Sequence, residues 1–216
     1  MRKELLMAFF SLLVTPVLGQ TVDIESLRPQ IDKYLSLAVA GGIEKYGFRN
    51  INEIGEIQYG EPIQTIEMEQ NFYSDESATG EYCMQDVNEF RIPLIVNDTI
   101  RSFVVVAEKN GKWFVVDFGA STLAKRVDKC YRDYGIQKHQ KVKMLRDTYS
   151  STDYIELSED DYVTIEENGE YRNASNKPYP PQRRHHSKND VKHELHQHYK
   201  AANLQYNNQR IKNHER

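Results

Sequence analysis

The sequence predicts an α+β fold, in which a long N-terminal helix is packed on a curved antiparallel sheet. Three observations support this prediction: apolar residues at helical spacing over residues 24–46, β-rich segments separated by turn sequences between 90 and 118, and a second helical pattern after Ser121. The 216-residue chain contains 39% hydrophobic residues and 14 tyrosines, which is enough to bury a core. We therefore expect one domain of ordinary size with an extension.

Residues 1–19 have the pattern of a secretory signal peptide. Positive charge precedes an apolar run over residues 5–18, and Gly19 is a small residue at the expected cleavage point. The apolar run is shorter than the roughly 20 residues that a membrane-spanning helix needs. The sequence therefore predicts a secreted or periplasmic protein whose mature chain begins at Gln20 and has no transmembrane segment.

The first predicted element of the domain is one amphipathic helix over residues 24–46. Ser26 is the expected N-cap, because its hydroxyl can accept a hydrogen bond from a free amide of the first turn. Gly47 is expected to end the helix in a left-handed conformation. Gly41 and Gly42 lie inside the predicted helix and indicate close contact with a sheet.

Strands are predicted to follow this helix. The predicted ranges are 51–58, 63–68, 90–96, 99–107 and 113–118. The last three form a meander, because Asn97-Asp98 and Asn110-Gly111 favour the positive φ angles of tight hairpin turns. The meander is therefore the strongest structural signal in the sequence.

A second helix is predicted from an N-cap at Ser121 to a C-terminal glycine at Gly135. Further strands are predicted at 142–149, 154–157 and 162–165, the last of them paired with Tyr171. These elements complete a domain that we assign to residues 20–172.

Charge divides the chain into an acidic domain and a basic tail. Residues 20–172 carry 17 basic and 28 acidic side chains, a net charge of −11, whereas residues 173–216 carry 9 and 3, a net charge of +6. Polar residues and proline dominate 173–216, which predicts a basic, His-rich disordered tail with no nucleic-acid partner. One thin helical stripe that includes Val191 and Leu195 is an exception that could fold on a partner.

In outline, the order of these elements resembles the cystatin-like and nuclear-transport-factor-like folds. The resemblance covers most of residues 21–170 and implies that the long helix lies across the sheet. The chain lacks the Gln-x-Val-x-Gly loop that cystatins use against proteases. The resemblance therefore implies a fold and no particular activity.

Cys83 and Cys130 are the only two cysteines. In an oxidising compartment such a pair predicts one disulfide, worth roughly 3–4 kcal/mol in the chain-entropy model. The alternative is two separate buried thiols.

Histidines are concentrated in the tail, which holds six of the seven. His193, His196 and His198 have a composition that suits zinc, copper or nickel. No second pair of ligands completes a tetrahedral set, so a solvated tail that happens to contain histidine is the favoured interpretation and no cofactor is predicted.

Common catalytic motifs are missing from the sequence. It contains no Gly-x-Ser-x-Gly elbow, phosphate-binding glycine loop, His-Glu-x-x-His or Cys-x-x-Cys. We therefore predict an exported, non-enzymatic binding module that recognises a protein or small ligand. The alternatives are a small exported enzyme with a cavity lined by the sheet, and a metal-handling protein that uses the tail.

The expected contact surface is the second face of the meander together with the loop at 71–86. Phe103 and Val105 alternate with Val104 and Val106, so the meander is apolar on both faces and both need a cover. Coverage by the second helix, by the later strands or by a homodimer is the alternative to a ligand.

Overall fold

The computed structural model describes residues 22–68, 84–147, 152–165 and 185–214, with side chains to residue 204. Within these ranges the fold is α+β, as predicted, with three α-helices and a nine-stranded, mostly antiparallel sheet. The predicted signal peptide lies outside the described residues.

The helices are α1 (Ile24–Gly41), α2 (Ser121–Tyr134) and α3 (Lys188–His214), with 3-10 helices at Ile43–Tyr46 and Ile51–Glu56. The strands are β1 (Gln58–Tyr59), β2 (Ile63–Met68), β3 (Met84–Val96), β4 (Thr99–Lys109), β5 (Lys112–Gly119), β6 (Lys143–Arg146), β7 (Asp153–Ser158), β8 (Asp161–Ile165) and β9 (His185–His186).

The sheet is made of two antiparallel ribbons that share one parallel junction. Its order is β5-β4-β3-β2-β6-β7-β8-β9, and β1 pairs with the far end of β3. Only β2 and β6 run parallel, and three residue pairs join them: Gln64 with Lys143, Thr65 with Met144 and Ile66 with Leu145. This junction places the strands after α2 beside the meander.

Both hairpin turns of the meander have the predicted conformation. Asn97 and Asp98 have φ angles of 48° and 55°, and Asn110 and Gly111 have 54° and 72°. Positive φ at both central residues matches the turn to the right-handed twist of the strands. The prediction of a meander with tight turns is therefore confirmed.

Three apolar clusters join the helices to the sheet. The α1 cluster packs α1 against β3, β4 and β5, and includes Leu27, Ile31, Ile92, Val104 and Val106. The α2 cluster packs α2 against the sheet, and includes Phe103, Val127, Met144, Ile155 and Val163. The α3 cluster packs α3 against β2, β6, β7 and β8, and includes Ile66, Leu145, Tyr154, Val191 and Leu195.

Strand register shows which clusters share a face of the sheet. Ile63 pairs with Arg91, and Arg91 with Val105, on the face that α2 covers. Phe90 pairs with Gln64, which pairs with Lys143, on the opposite face. The α1 and α3 clusters both lie on this opposite face, since paired residues point to the same side of a sheet.

Several element boundaries differ from the prediction. The helix is capped by Asp23, whose side chain accepts a hydrogen bond from the amide of Ser26, and it ends at Gly41 rather than continuing to residue 46. Gly42 has a φ of 97°, so the glycine pair ends the helix instead of lying within it. Residues 51–56 form a 3-10 helix where a strand was predicted.

The start of α2 also differs from the prediction. Ser121 is its first helical residue and not its N-cap, and the Ser121 hydroxyl donates a hydrogen bond to the carbonyl of Lys45. Gly135 ends the helix with a left-handed φ of 67°, as predicted.

The tail differs from the prediction of disorder at residues 185–214. These residues form β9, which pairs with β8, and the long helix α3. Val191 and Leu195 are fully buried in the α3 cluster. The thin apolar stripe therefore packs on the chain's own sheet, and this burial offsets the cost of ordering a polar segment.

The predicted disulfide between Cys83 and Cys130 remains untested. Cys130 is buried in the α2 cluster, and the described part of the chain shows no disulfide. Cys83 lies outside the described residues, so the bond stays a prediction. Across the described ranges, none of the helices is long and apolar enough to cross a membrane.

Candidate functional groove

A groove of about 1080 Å³ crosses the sheet face that carries α1 and α3. Its floor contains Phe90, Gln64, Lys143 and Glu156, which form one row across β3, β2, β6 and β7. The groove lies between the α1 cluster and the α3 cluster, over a strip of sheet that no described helix covers.

The walls of the groove come from three connections. Val22 and Ile24 lie at the start of α1. The turn between β1 and β2 contributes Tyr59, Gly60, Glu61 and Pro62, and the end of β7 contributes Leu157, Ser158 and Glu159. The lining therefore mixes apolar side chains with polar and charged ones on both the walls and the floor, a combination found in ligand sites.

Polar residues interrupt three strands where the groove crosses them. On this face, Ile66, Leu145 and Tyr154 are buried in the α3 cluster. Three polar residues lie two positions away from these on the same strands and are only partly buried: Gln64, Lys143 and Glu156. The sequence therefore builds an apolar patch for α3 and a polar strip beside it.

Lys143 and Asp86 form an ion pair on the floor. The Lys143 Nζ lies 2.8 Å and 2.9 Å from the two carboxylate oxygens of Asp86. Both side chains are more than a third exposed, so solvent screens the pair and its contribution to stability is small. The pair fixes the position of Lys143 between two carboxylates.

Glu156 is the second ionisable group on the floor. The hydroxyl of Tyr162 donates a hydrogen bond of 2.9 Å to the Glu156 carboxylate. Burial raises the pKa of Glu156, while the hydrogen bond from Tyr162 and the charge of Lys143 oppose that shift. Glu156 is therefore a partly buried carboxyl group that lines the groove, with Lys143 and Lys188 near enough to favour its ionised form.

A second cluster of ionisable groups lies beneath α3. The His198 Nδ1 is 2.8 Å from the Asp147 carboxylate, whose side chain has no exposed surface, and His186 Nε2 is 3.0 Å from the Thr164 hydroxyl. Burial raises the pKa of Glu194, and His198 opposes that shift. These contacts join α3 to the residues beneath it, so we assign the cluster to holding α3 in place.

A third cluster lies on the α2 face of the sheet. Asp153 is buried with Arg146 and Arg126 beside it, at 3.3 Å and 3.9 Å. Burial raises the pKa of Asp153, and both arginines oppose the shift. These contacts pair buried charges and leave no open site in the described residues.

The structure does not bring the predicted metal ligands together. His193 is exposed and lies 2.7 Å from the Gln197 amide, whereas His198 is bound to Asp147. His196 is partly buried on the same helix. Within the described residues, no group of three or more His, Cys, Asp or Glu side chains could hold a metal ion.

The structure covers part of the predicted contact surface on the second face of the meander. Phe103 is buried in the α2 cluster and Val105 is also buried, because α2 lies over that face. Phe114 and Val116 of β5 are 42% and 51% exposed, so part of the apolar surface of the meander remains open. Residues 71–83 of the predicted loop lie outside the described residues, and 84–86 begin β3.

Sequence reasoning missed Gln64, Lys143 and Glu156. Each interrupts a short apolar strand, and this is the one signal that could have identified them. Their convergence depends on the parallel pairing of β2 with β6, which joins residues 79 positions apart, as the pair Gln64 and Lys143 shows. No strand pattern specifies such a long-range pairing.

No protein-family model, curated protein or solved structure matches this chain.

Proposed function

We propose that this chain is an exported binding module that takes a segment of a partner protein into the groove. The observation that carries the proposal is the open strip of sheet between the α1 and α3 clusters, with a volume of about 1080 Å³. An open groove lined by both apolar and polar groups suits an extended segment, because the apolar side chains supply contact area and the polar ones supply orientation.

Export is part of the same proposal. The pattern of residues 1–19 supports passage through a secretory pathway, and the cysteine pair would then meet an oxidising compartment. The proposal also keeps the cystatin-like or nuclear-transport-factor-like outline, which the packing of α1 on the meander supports.

Selection of peptides from a displayed random library tests the groove directly. The purified protein is the bait, and each enriched peptide is then measured against a Gln64→Trp variant. Because the indole fills the floor, we expect the enriched peptides to lose about tenfold or more in affinity. Ser158→Trp at the exposed rim is a second variant that leaves the central strands unchanged.

Leu37→Trp is the matched control, because Leu37 is 57% exposed on α1 and does not line the groove. Circular dichroism and thermal unfolding establish that each variant is folded. Enriched peptides that bind both groove variants as tightly as the parent protein would exclude the groove as the binding site.

Glu156 favours a second candidate, a small enzyme with a general acid in the groove. Burial raises the pKa of this carboxyl group, and proton donors near neutral pH are made in this way. In that case Glu156→Gln abolishes turnover of a bound compound and leaves its affinity unchanged. Loss of affinity without any reaction of the ligand argues against the enzyme.

A further inference from the structure

The groove carries more negative than positive charge. Four carboxylates line it, from Glu61, Asp86, Glu156 and Glu159, and two lysines, Lys141 and Lys143. Lys143 and Lys188, the latter at the start of α3, are the two lysines whose charges favour the ionised form of Glu156. The whole of residues 20–172 is acidic as well, with a net charge of −11 from 17 basic and 28 acidic side chains.

After ion pairing within the groove, more negative than positive side chains remain unpaired. Lys143 is bound to Asp86. Glu61, Glu156 and Glu159 form no ion pair with any described residue, whereas Lys141 lines the groove and Lys188 acts on Glu156 without forming an ion pair. Carboxylates that outnumber the nearby cations attract a ligand that supplies positive charge.

Apolar groups stand close to these carboxylates. Pro62 lies next to Glu61 in the chain, and Phe90 shares the floor with Glu156. Phe90 is held by an edge-on contact with Trp113, with ring centroids 5.3 Å apart. A basic side chain that reaches a carboxylate would therefore be flanked by positions for apolar side chains.

We infer that the segment bound in the groove is basic and amphipathic, with lysine or arginine side chains directed at Glu61, Glu156 and Glu159 and apolar side chains directed at the walls. This inference rests on the proposed function of the groove and names the chemistry of its ligand. Arginine or lysine paired with a partly desolvated carboxylate gives both orientation and specificity.

The dependence of binding on pH follows from the groups around Glu156. Lys143 on β6 and Lys188 at the start of α3 favour the ionised form of Glu156. The other polar groups near this carboxylate are Asp86 on β3 and the Tyr162 hydroxyl on β8, which donates a hydrogen bond to it. A cationic ligand binds the ionised form better. Affinity should therefore rise as the pH increases through the raised pKa of Glu156 and fall below it.

Three fluorescent peptides of equal length test the inference on the purified protein. They share the same apolar positions and carry lysine, glutamine or glutamate between them, and fluorescence polarisation gives each affinity. We expect the lysine peptide to bind at least about tenfold more tightly than the glutamine peptide, and the glutamate peptide to bind most weakly. Added salt should reduce the difference.

Glu156→Gln and Glu159→Gln should each weaken the lysine peptide and leave the glutamine peptide unchanged. Glu44→Gln is the matched control, because Glu44 is exposed outside the groove and its removal changes the net charge equally. An equal loss in Glu44→Gln and Glu156→Gln would overturn the inference, since it would show attraction by overall charge alone.

The same peptides separate this inference from the proposed function. If the glutamine or glutamate peptide binds as tightly as the lysine peptide and Gln64→Trp abolishes that binding, the groove is a binding site and the inference about charge is wrong. If Gln64→Trp and Ser158→Trp affect no peptide, the proposed function itself is wrong.

Discussion

Single residues fix how the connections of this fold meet the sheet. Gly47 has a φ of 96° at the end of the first 3-10 helix, a conformation that side chains other than glycine rarely adopt. A Cβ atom at this position would also collide with the carbonyl oxygen of Arg101 on β4. Close approach and positive φ therefore require glycine here. The pKa of Glu156 also depends on the surroundings of a single residue, because burial raises it.

Gly47→Ala should destabilise the protein by at least about 2 kcal/mol, because the strained conformation and the backbone clash add together. Gly55→Ala is the matched control: nothing lies within 4 Å of its added Cβ, so a change within about 0.5 kcal/mol is expected. Chemical denaturation gives both values. Equal stability of the two variants would contradict the assigned conformation of Gly47.

At the scale of elements, most local structure could be predicted and its packing could not. The tight turns at Asn97-Asp98 and Asn110-Gly111 are built from residue types that tolerate positive φ, so the local sequence predicts their conformation. Residues 51–56 combine apolar spacing with Gly55, and a short apolar run does not distinguish a strand from a helical turn. The groove residues were missed because three strands distant in sequence assemble them.

The third helix shows why composition misled the prediction of disorder. It is polar overall, and its mean composition resembles a solvated tail. Val191 and Leu195 are spaced by four residues, so they share one face, and both are fully buried. Two buried side chains and the His198–Asp147 contact are enough to hold this face on an existing sheet.

Leu195→Ala should release α3, with a local cost of about 2–4 kcal/mol for a buried leucine. Lys192 is 8% exposed in the docked helix, so trypsin cleavage after Lys192 reports the release. Leu204→Ala, at a position 65% exposed, is the control and should leave the cleavage rate unchanged. Similar rates for both variants would show that the α3 cluster does not hold the helix.

At the scale of the molecule, one short parallel junction forms the groove. The meander with α1 and the later strands with α3 each build an apolar cluster on the same face. The pairing of β2 with β6 brings these clusters side by side and leaves the polar strip between them. The fold class could be predicted from local patterns, whereas the groove depends on this long-range contact.

The compartment of the whole molecule can be tested through its two cysteines. Chain produced through a secretory pathway should begin at Gln20 and contain a bond between Cys83 and Cys130, whereas chain produced in a reducing cytosol should contain two thiols. Because the bond would close a long loop, the oxidised protein should be more stable by roughly 3–4 kcal/mol, and Cys83→Ser should remove that difference. Intact mass before and after alkylation distinguishes the two states. Exported protein in which both cysteines react with the alkylating reagent would contradict the bond. Protein that passes through the secretory pathway and still begins at Met1 would contradict the signal peptide.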